Sequence, residues 1–158
     1  MISKEDYVTP SQGRILRYKG ILDFDNFYKE SKKWFKDHNY IFNEKRYDER
    51  FYSLGNELKI DFVAKRKIDD STSFNIDVKI LIYDLVKEGK GYKLDLAMHI
   101  KAHIDLDYDN KWQSNRLKHF LFFVYINSII RSKIKNVFED KLFYEVNEYS
   151  DFLKEYFA

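Results

Sequence analysis

Three consecutive segments of strict two-residue alternation restrict what this chain can fold into. In residues 57–67, Leu58, Ile60, Phe62 and Ala64 alternate with Lys59, Asp61, Val63 and Lys65. In residues 73–84, Phe74, Ile76, Val78, Ile80 and Ile82 alternate with Asn75, Asp77, Lys79, Leu81 and Tyr83. In residues 92–106, the even positions from Tyr92 to Leu106 are apolar, while Lys93, Asp95, His99, Lys101, His103 and Asp105 lie between them. Side chains of an extended strand point alternately to opposite faces, so this pattern describes half-buried strands with one dry and one wet face. The connections, Asp69-Asp70-Ser71-Thr72 and residues 86–91, are short and polar and suit antiparallel hairpins. The expected centre is a long antiparallel meander.

On the N-terminal side, Arg14 to Leu22 reads as a first strand and Asp23 as a helix N-cap, with Leu22 and Phe27 placed as a hydrophobic staple. The helix is expected to run to about Asp37, with Phe27, Ser31, Trp34 and Phe35 on one face and Lys29, Lys32, Lys33 and Lys36 turned away. His38-Asn39 is the expected stop, since Asn tolerates the left-handed conformation. A further strand is expected over Tyr40 to Arg50, turning at Ser53-Leu54-Gly55-Asn56. After Asn110 the period changes. From Trp112 to Ala158 there is no Gly or Pro, and Ile126, Ile130, Ile134, Phe138 and Leu142 form a helical row that Val146, Tyr149, Leu153 and Tyr156 continue. One helix from Ser114 to Phe157 would be ~65 Å long, against ~50 Å for the longest strand, so a break is expected at Asn136 or within Asn147 to Asp151. The fold class that follows is α+β: an antiparallel sheet of four to five strands, covered on one face by an N-terminal helix and a long C-terminal helix or helices.

The length of 158 residues fits a single domain over 1–158, with residues 1–13 as a polar N-terminal arm. With 28 Lys+Arg against 26 Asp+Glu, the chain has no dominant electrostatic partner. It has no cysteine, which excludes disulfides, thiolate metal sites and cysteine nucleophiles. The arm lacks the apolar core of a secretory signal, and the longest apolar run, Phe120 to Ile130, is too short to span a bilayer. These features lead to the expectation of a soluble protein without membrane insertion or a classical secretion signal, either cytoplasmic or incorporated in a virus particle. The excess of Lys, Asn, Ile, Phe and Tyr is what A/T-rich coding DNA would produce. The same excess supplies 13 Tyr, 14 Phe and 2 Trp, more rings than a small interior readily holds, which points some of them to a contact surface.

Signatures of chemistry are weak. Asp105, Asp107 and Asp109 open like a calcium loop, but Asn110 stands where Gly is needed and Arg116 where a bidentate Glu is needed. His99 and His103 would share a metal on a helix, whereas on a strand they stand ~13 Å apart. There is no nucleophile elbow and no phosphate-cradling glycine loop. Basic stretches at residues 31–36, 65–67 and 131–135 are interleaved with acids on the wet face, which argues against an extended phosphate track. The expectation is therefore no catalytic residue, no metal and no cofactor.

Tyr18-Lys19-Gly20-Ile21-Leu22-Asp23, followed by Tyr28, Trp34, Tyr40 and Glu44, resembles a pattern in small uncharacterised proteins of archaeal and virus-like metagenomic sequences. Residues 62–67 and Asp140 to Tyr144 extend that resemblance over most of the chain. No activity is attached to that group, so the resemblance implies no site residue. It implies a virus-encoded or mobile-element protein, for which a particle subunit is a common role. The expected function is a non-enzymatic structural or interaction protein, a subunit of a larger assembly such as a virion or tail complex, with protein subunits (its own kind or others) as partners. Its expected contact residues are Tyr7, Val8 and Pro10 on the arm, Phe122, Phe123 and Tyr125 on the long helix, and Tyr156 and Phe157 near the C-terminus. The alternative is a carrier of a small apolar ligand, held in a cavity between sheet and helix. A nucleic-acid-binding module is the third reading.

Overall fold

The computed structural model describes residues 5–10, 13–69, 72–106, 116–124 and 137–157. Its elements in chain order are β1 (Glu5–Tyr7), β2 (Arg14–Leu22), α1 (Phe24–Asp37), β3 (Ile41–Arg50), β4 (Asn56–Lys67), β5 (Ser73–Glu88), β6 (Gly91–Asp105), α2 (Arg116–Val124) and α3 (Glu139–Glu155). The protein is α+β with one antiparallel sheet. β1 and β2 lie in series along the same side of β6, opposite residues 103–105 and 92–100, so the sheet is five strands wide. The order across it is β1/β2, β6, β5, β4, β3.

The alternating segments form the three central strands. Leu58, Ile60, Phe62 and Ala64 of β4, Phe74, Ile76, Val78, Ile80 and Ile82 of β5, and Leu94, Leu96, Met98, Ile100, Ala102 and Ile104 of β6 are all buried. Cross-strand register keeps each face consistent: Ile60 opposes Ile80, which opposes Met98. β5 runs past the expected end at Asp84, because a bulge absorbs Asp84, at φ 54°, and Leu85 before pairing resumes at Val86. The hairpin to β6 is thereby reduced to the tight turn Gly89-Lys90.

Successive antiparallel pairings make β2 and β3 run in the same direction at opposite edges of the sheet. α1 makes that connection. Its 14 residues measure ~21 Å, close to the ~19 Å that separates the outer strands of a five-stranded sheet. Asp23 caps it by accepting from the Asn26 N–H at 3.2 Å, and Asn39 leaves it at φ 65°. Phe27, Ser31, Trp34 and Phe35 are buried while Lys29, Lys32, Lys33 and Lys36 are exposed, as their spacing requires. This first helix is not N-terminal, since two strand segments precede it.

α3 continues without interruption through residues 147–151, so the break expected there does not occur. Its apolar positions recur so regularly that Asn147 and Ser150 are carried within the helix without ending it. The other expected break, Asn136, lies outside the described residues, as do Ile126, Ile130 and Ile134. Phe138, Leu142, Val146, Tyr149 and Leu153 are buried. Aromatic rings join these elements across the core: Phe35 meets Phe62, Phe42 and Tyr149, Trp34 stacks on His38, and Phe138 meets Phe74 edge-on.

Candidate functional site

The buried polar groups are where chemistry would be expected first. Glu145, on α3, accepts from the Tyr40 hydroxyl and from the Arg66 guanidinium at 2.7 Å, and Arg66 also donates to the His38 carbonyl at 3.3 Å. Ser31 and Tyr149 share a hydrogen bond of 2.5 Å in a fully buried position. The Tyr28 hydroxyl donates to Glu44, with Lys32 at 3.8 Å. Burial pushes all three phenols upward, aided by the neighbouring carboxylate for Tyr40 and Tyr28, so they stay protonated. Each of these groups spans two elements and has its partner within the chain. They cross-link α1, α3 and the sheet.

The wet face holds an open basin of about 470 Å³ over β3–β6, floored by Val63 and Leu81 and rimmed by Lys45, Asp61, Asp77, Lys79, His99 and Lys101. Its charges oppose one another across the strands, Asp61 facing Lys79 and Asp77 facing Lys101, which is the arrangement of a solvated sheet surface. His99 and His103 lie on this face of one strand. His103 is 9% exposed, its Nδ1 is 4.0 Å from the Asp77 carboxylate without a hydrogen bond, and the Tyr7 ring lies 4.9 Å away. Burial raises the Asp77 carboxyl from its ordinary value, and the His103 ring opposes that shift. Among the described residues, no three His, Asp or Glu side chains converge as metal ligands.

The surfaces that stand out are apolar. The β3–β4 turn carries Phe51, Tyr52 and Leu54 at 76%, 53% and 90% exposure. This tip is held in place: Tyr52 N–H donates to Asn56, and Gly55 packs so close to Asp84 on β5 that a Cβ would come within 2.9 Å of its Cα. Sequence reasoning read this stretch only as a turn. The missed signal was three large apolar side chains within four residues of a connection that would ordinarily be polar. α2 is the second such surface, with Leu117, Phe120, Leu121 and Phe123 all exposed.

The residues expected to make contacts are scattered over three places. Tyr7 is half exposed on β1, and Pro10 is exposed. Val8 packs against the core and donates its N–H to the Ala102 carbonyl at 3.0 Å. Thr9 accepts from the Ala102 N–H, and Gly13 approaches the Ile100 carbonyl where a side chain would clash, so the described part of the arm lies on its own β6. Tyr156 and Phe157 are half-buried: Phe157 stacks between Tyr18 and Phe27, and Tyr156 meets Phe27 edge-on. Phe123 is half exposed on α2, while the Phe122 side chain and Tyr125 lie outside the described residues. The described contacts thus place the arm along β6 and the C-terminal rings against Tyr18 and Phe27.

Compared with protein-family models, curated proteins and solved structures, the chain finds no match in any of the three. Among the described residues, no helix is long and apolar enough to cross a membrane.

Proposed function

We propose that this is a non-enzymatic interaction protein, one subunit of a larger assembly, and that it docks through the β3–β4 tip. The observation that carries this reading is the exposure of Phe51, Tyr52 and Leu54 on a turn whose backbone is pinned against β5. Large rigid side chains presented on a fixed turn lose little entropy on binding and supply apolar area, the properties of an interface anchor. The arm contributes less than the sequence led us to expect, because its described residues are satisfied within the chain. α1 and α3 are taken to close the apolar face of the sheet. Phe27, Phe35, Phe62 and Tyr149, each at most 1% exposed, occupy the space in which an apolar ligand would sit, which weighs against the carrier reading. The basic residues Lys32 and Arg66 are engaged by Glu44 and Glu145, which weighs against a phosphate track. A virion or tail complex is one assembly such a subunit would suit.

Light scattering behind a sizing column tests this directly. The expected result is a discrete multiple of 19.3 kDa that persists at high salt and returns to the monomer when Phe51→Asp and Leu54→Asp are combined. A monomer at every concentration and salt, or an oligomer indifferent to both substitutions, overturns the assignment of the tip to self-assembly.

A further inference from the structure

β3 ends the sheet, and among the described residues no strand pairs with its outer side. Nine of its ten residues are exposed, and only Phe42 is half-buried. An uncovered edge presents a row of backbone donors and acceptors, which proteins ordinarily guard with charges or a bulge. β3 has both guards. Lys45 is the extra residue of a bulge between Glu44 and Arg46, and every residue from Glu44 to Arg50 except Tyr47 is charged. A strand that pairs with this edge has to match its charges.

On the wet face, the charges of β3 extend those of the inner strands. One row runs outward as Lys79, Asp61, Arg46, and in the next Lys59 faces Asp48. Signs alternate along both rows, and both stop at the edge. The first lacks an acid beyond Arg46, and the second lacks a base beyond Asp48. A second copy of β3, running antiparallel with its Tyr47 opposite this Tyr47, supplies both. Asp48 of the second copy then lies opposite Arg46, and Arg46 of the second copy opposite Asp48. The first row continues across the seam through Asp48 and Lys59 of the second copy, its signs still alternating. Arg46 already donates to Asp48 of its own strand, so the four side chains close into a ring of alternating charge. A two-fold axis between antiparallel neighbours passes through a directly opposed pair. Placed on any other residue from Glu44 to Arg50, it would set a charge against its own like. We infer that β3 is the self-pairing edge of a symmetric dimer, in which two sheets join about Tyr47. The inference rests on the assembly reading above and names its partner: a second copy, met along the strand that leads into the β3–β4 tip. Self-complementarity of charge selects that copy over an unrelated strand.

Sedimentation equilibrium of the full-length chain at fixed salt measures the dimer affinity. Arg46→Asp makes the seam acidic at all four positions, and Asp48→Arg makes it basic at all four. Each substitution alone should weaken the dimer by about tenfold or more, because like charges then stand directly opposite. Mixed in equal amounts, the two variants should form a heterodimer near the parent affinity, since an acid again faces a base at both positions. No contact within one chain can produce that recovery. The two side chains are 46% and 51% exposed, so both variants should melt as the parent does. A dimer indifferent to both substitutions, or variants that fail to recover on mixing, overturns the edge assignment. If Phe51→Asp with Leu54→Asp dissolves that indifferent dimer, the tip stands and the edge alone falls. If the charge variants behave as expected and the tip pair changes nothing, the edge stands and the tip falls. A monomer at every concentration overturns both.

Discussion

Phe35 and Phe51 are the same side chain in two settings, one 0% and the other 76% exposed. Phe35 sits where α1, α3 and the sheet converge, against Phe62, Tyr149, Tyr40 and Phe42. Phe51 stands at the end of a hairpin, on a turn anchored by Gly55 and Asn56. Composition counts the two rings alike, but their energetics are opposite. In the core a ring stabilises by removing its own area from water and filling volume that neighbours cannot reach. At the tip the same area stays in water until a partner covers it, so its value belongs to binding and not to folding.

Truncating each ring tests that contrast most severely. Phe35→Ala should lower unfolding free energy by about 4 kcal/mol in urea denaturation, because it leaves a ring-sized cavity between three elements. Phe51→Ala should stay within about 0.5 kcal/mol of the parent, as exposed substitutions do. A loss at Phe51 comparable to that at Phe35 would show that the tip is structural and remove the basis for the proposed interface.

A smaller effect concerns the polar side of the same core. Glu145→Ala leaves the Arg66 guanidinium and the Tyr40 hydroxyl buried without their common acceptor, and should cost about 3 kcal/mol. Glu145→Gln keeps an acceptor oxygen for one of them and should cost less. If the two substitutions proved equal and mild, water would be reaching the cluster and α3 would be less firmly joined to β4 than the contacts indicate.

The gentlest probe is alkaline pH. Tyr28, Tyr40 and Tyr149 are raised in the folded protein above their ordinary value of 10.0, chiefly by burial. Between that value and the raised one, the folded chain holds protons that the unfolded chain has released. Stability is therefore fully present below pH 10 and declines as pH rises above it. Tyrosinate absorbance should show the exposed phenols titrating first and these three ionising only together with unfolding. Smooth, independent titration of all phenols would contradict the packed core.

Much of the sheet was legible in advance because period-two alternation is a local signal with one geometric meaning. Leu94 through Ile104 had to face one way once the strand was extended, and the charges between them the other. The helix from Phe24 to Asp37 was readable from its cap, its stripe and Asn39 for the same reason. Less visible were features that depend on what lies opposite. β1 is three residues long and exists as a strand because β6 offers it partners, so nothing in Glu5 to Tyr7 alone announces it. The bulge at Asp84 is likewise a property of a pairing. The candidate contact at Phe51, Tyr52 and Leu54 was present in the sequence as an apolar cluster at a turn, but the side chains of a turn can fold inward or outward.

The sequence by itself determined the class of the fold, the dry and wet faces of the central strands and the buried stripes of α1 and α3. Those follow from side-chain spacing along a regular backbone, a local property. Tertiary structure alone decided which rings became core and which stayed outside. It placed Tyr156 and Phe157 against Phe27 and Tyr18, laid the described arm on β6, and left the tip and α2 uncovered. The physical reason is that burial depends on the presence of a second surface, and whether one arrives is set by the whole chain's packing.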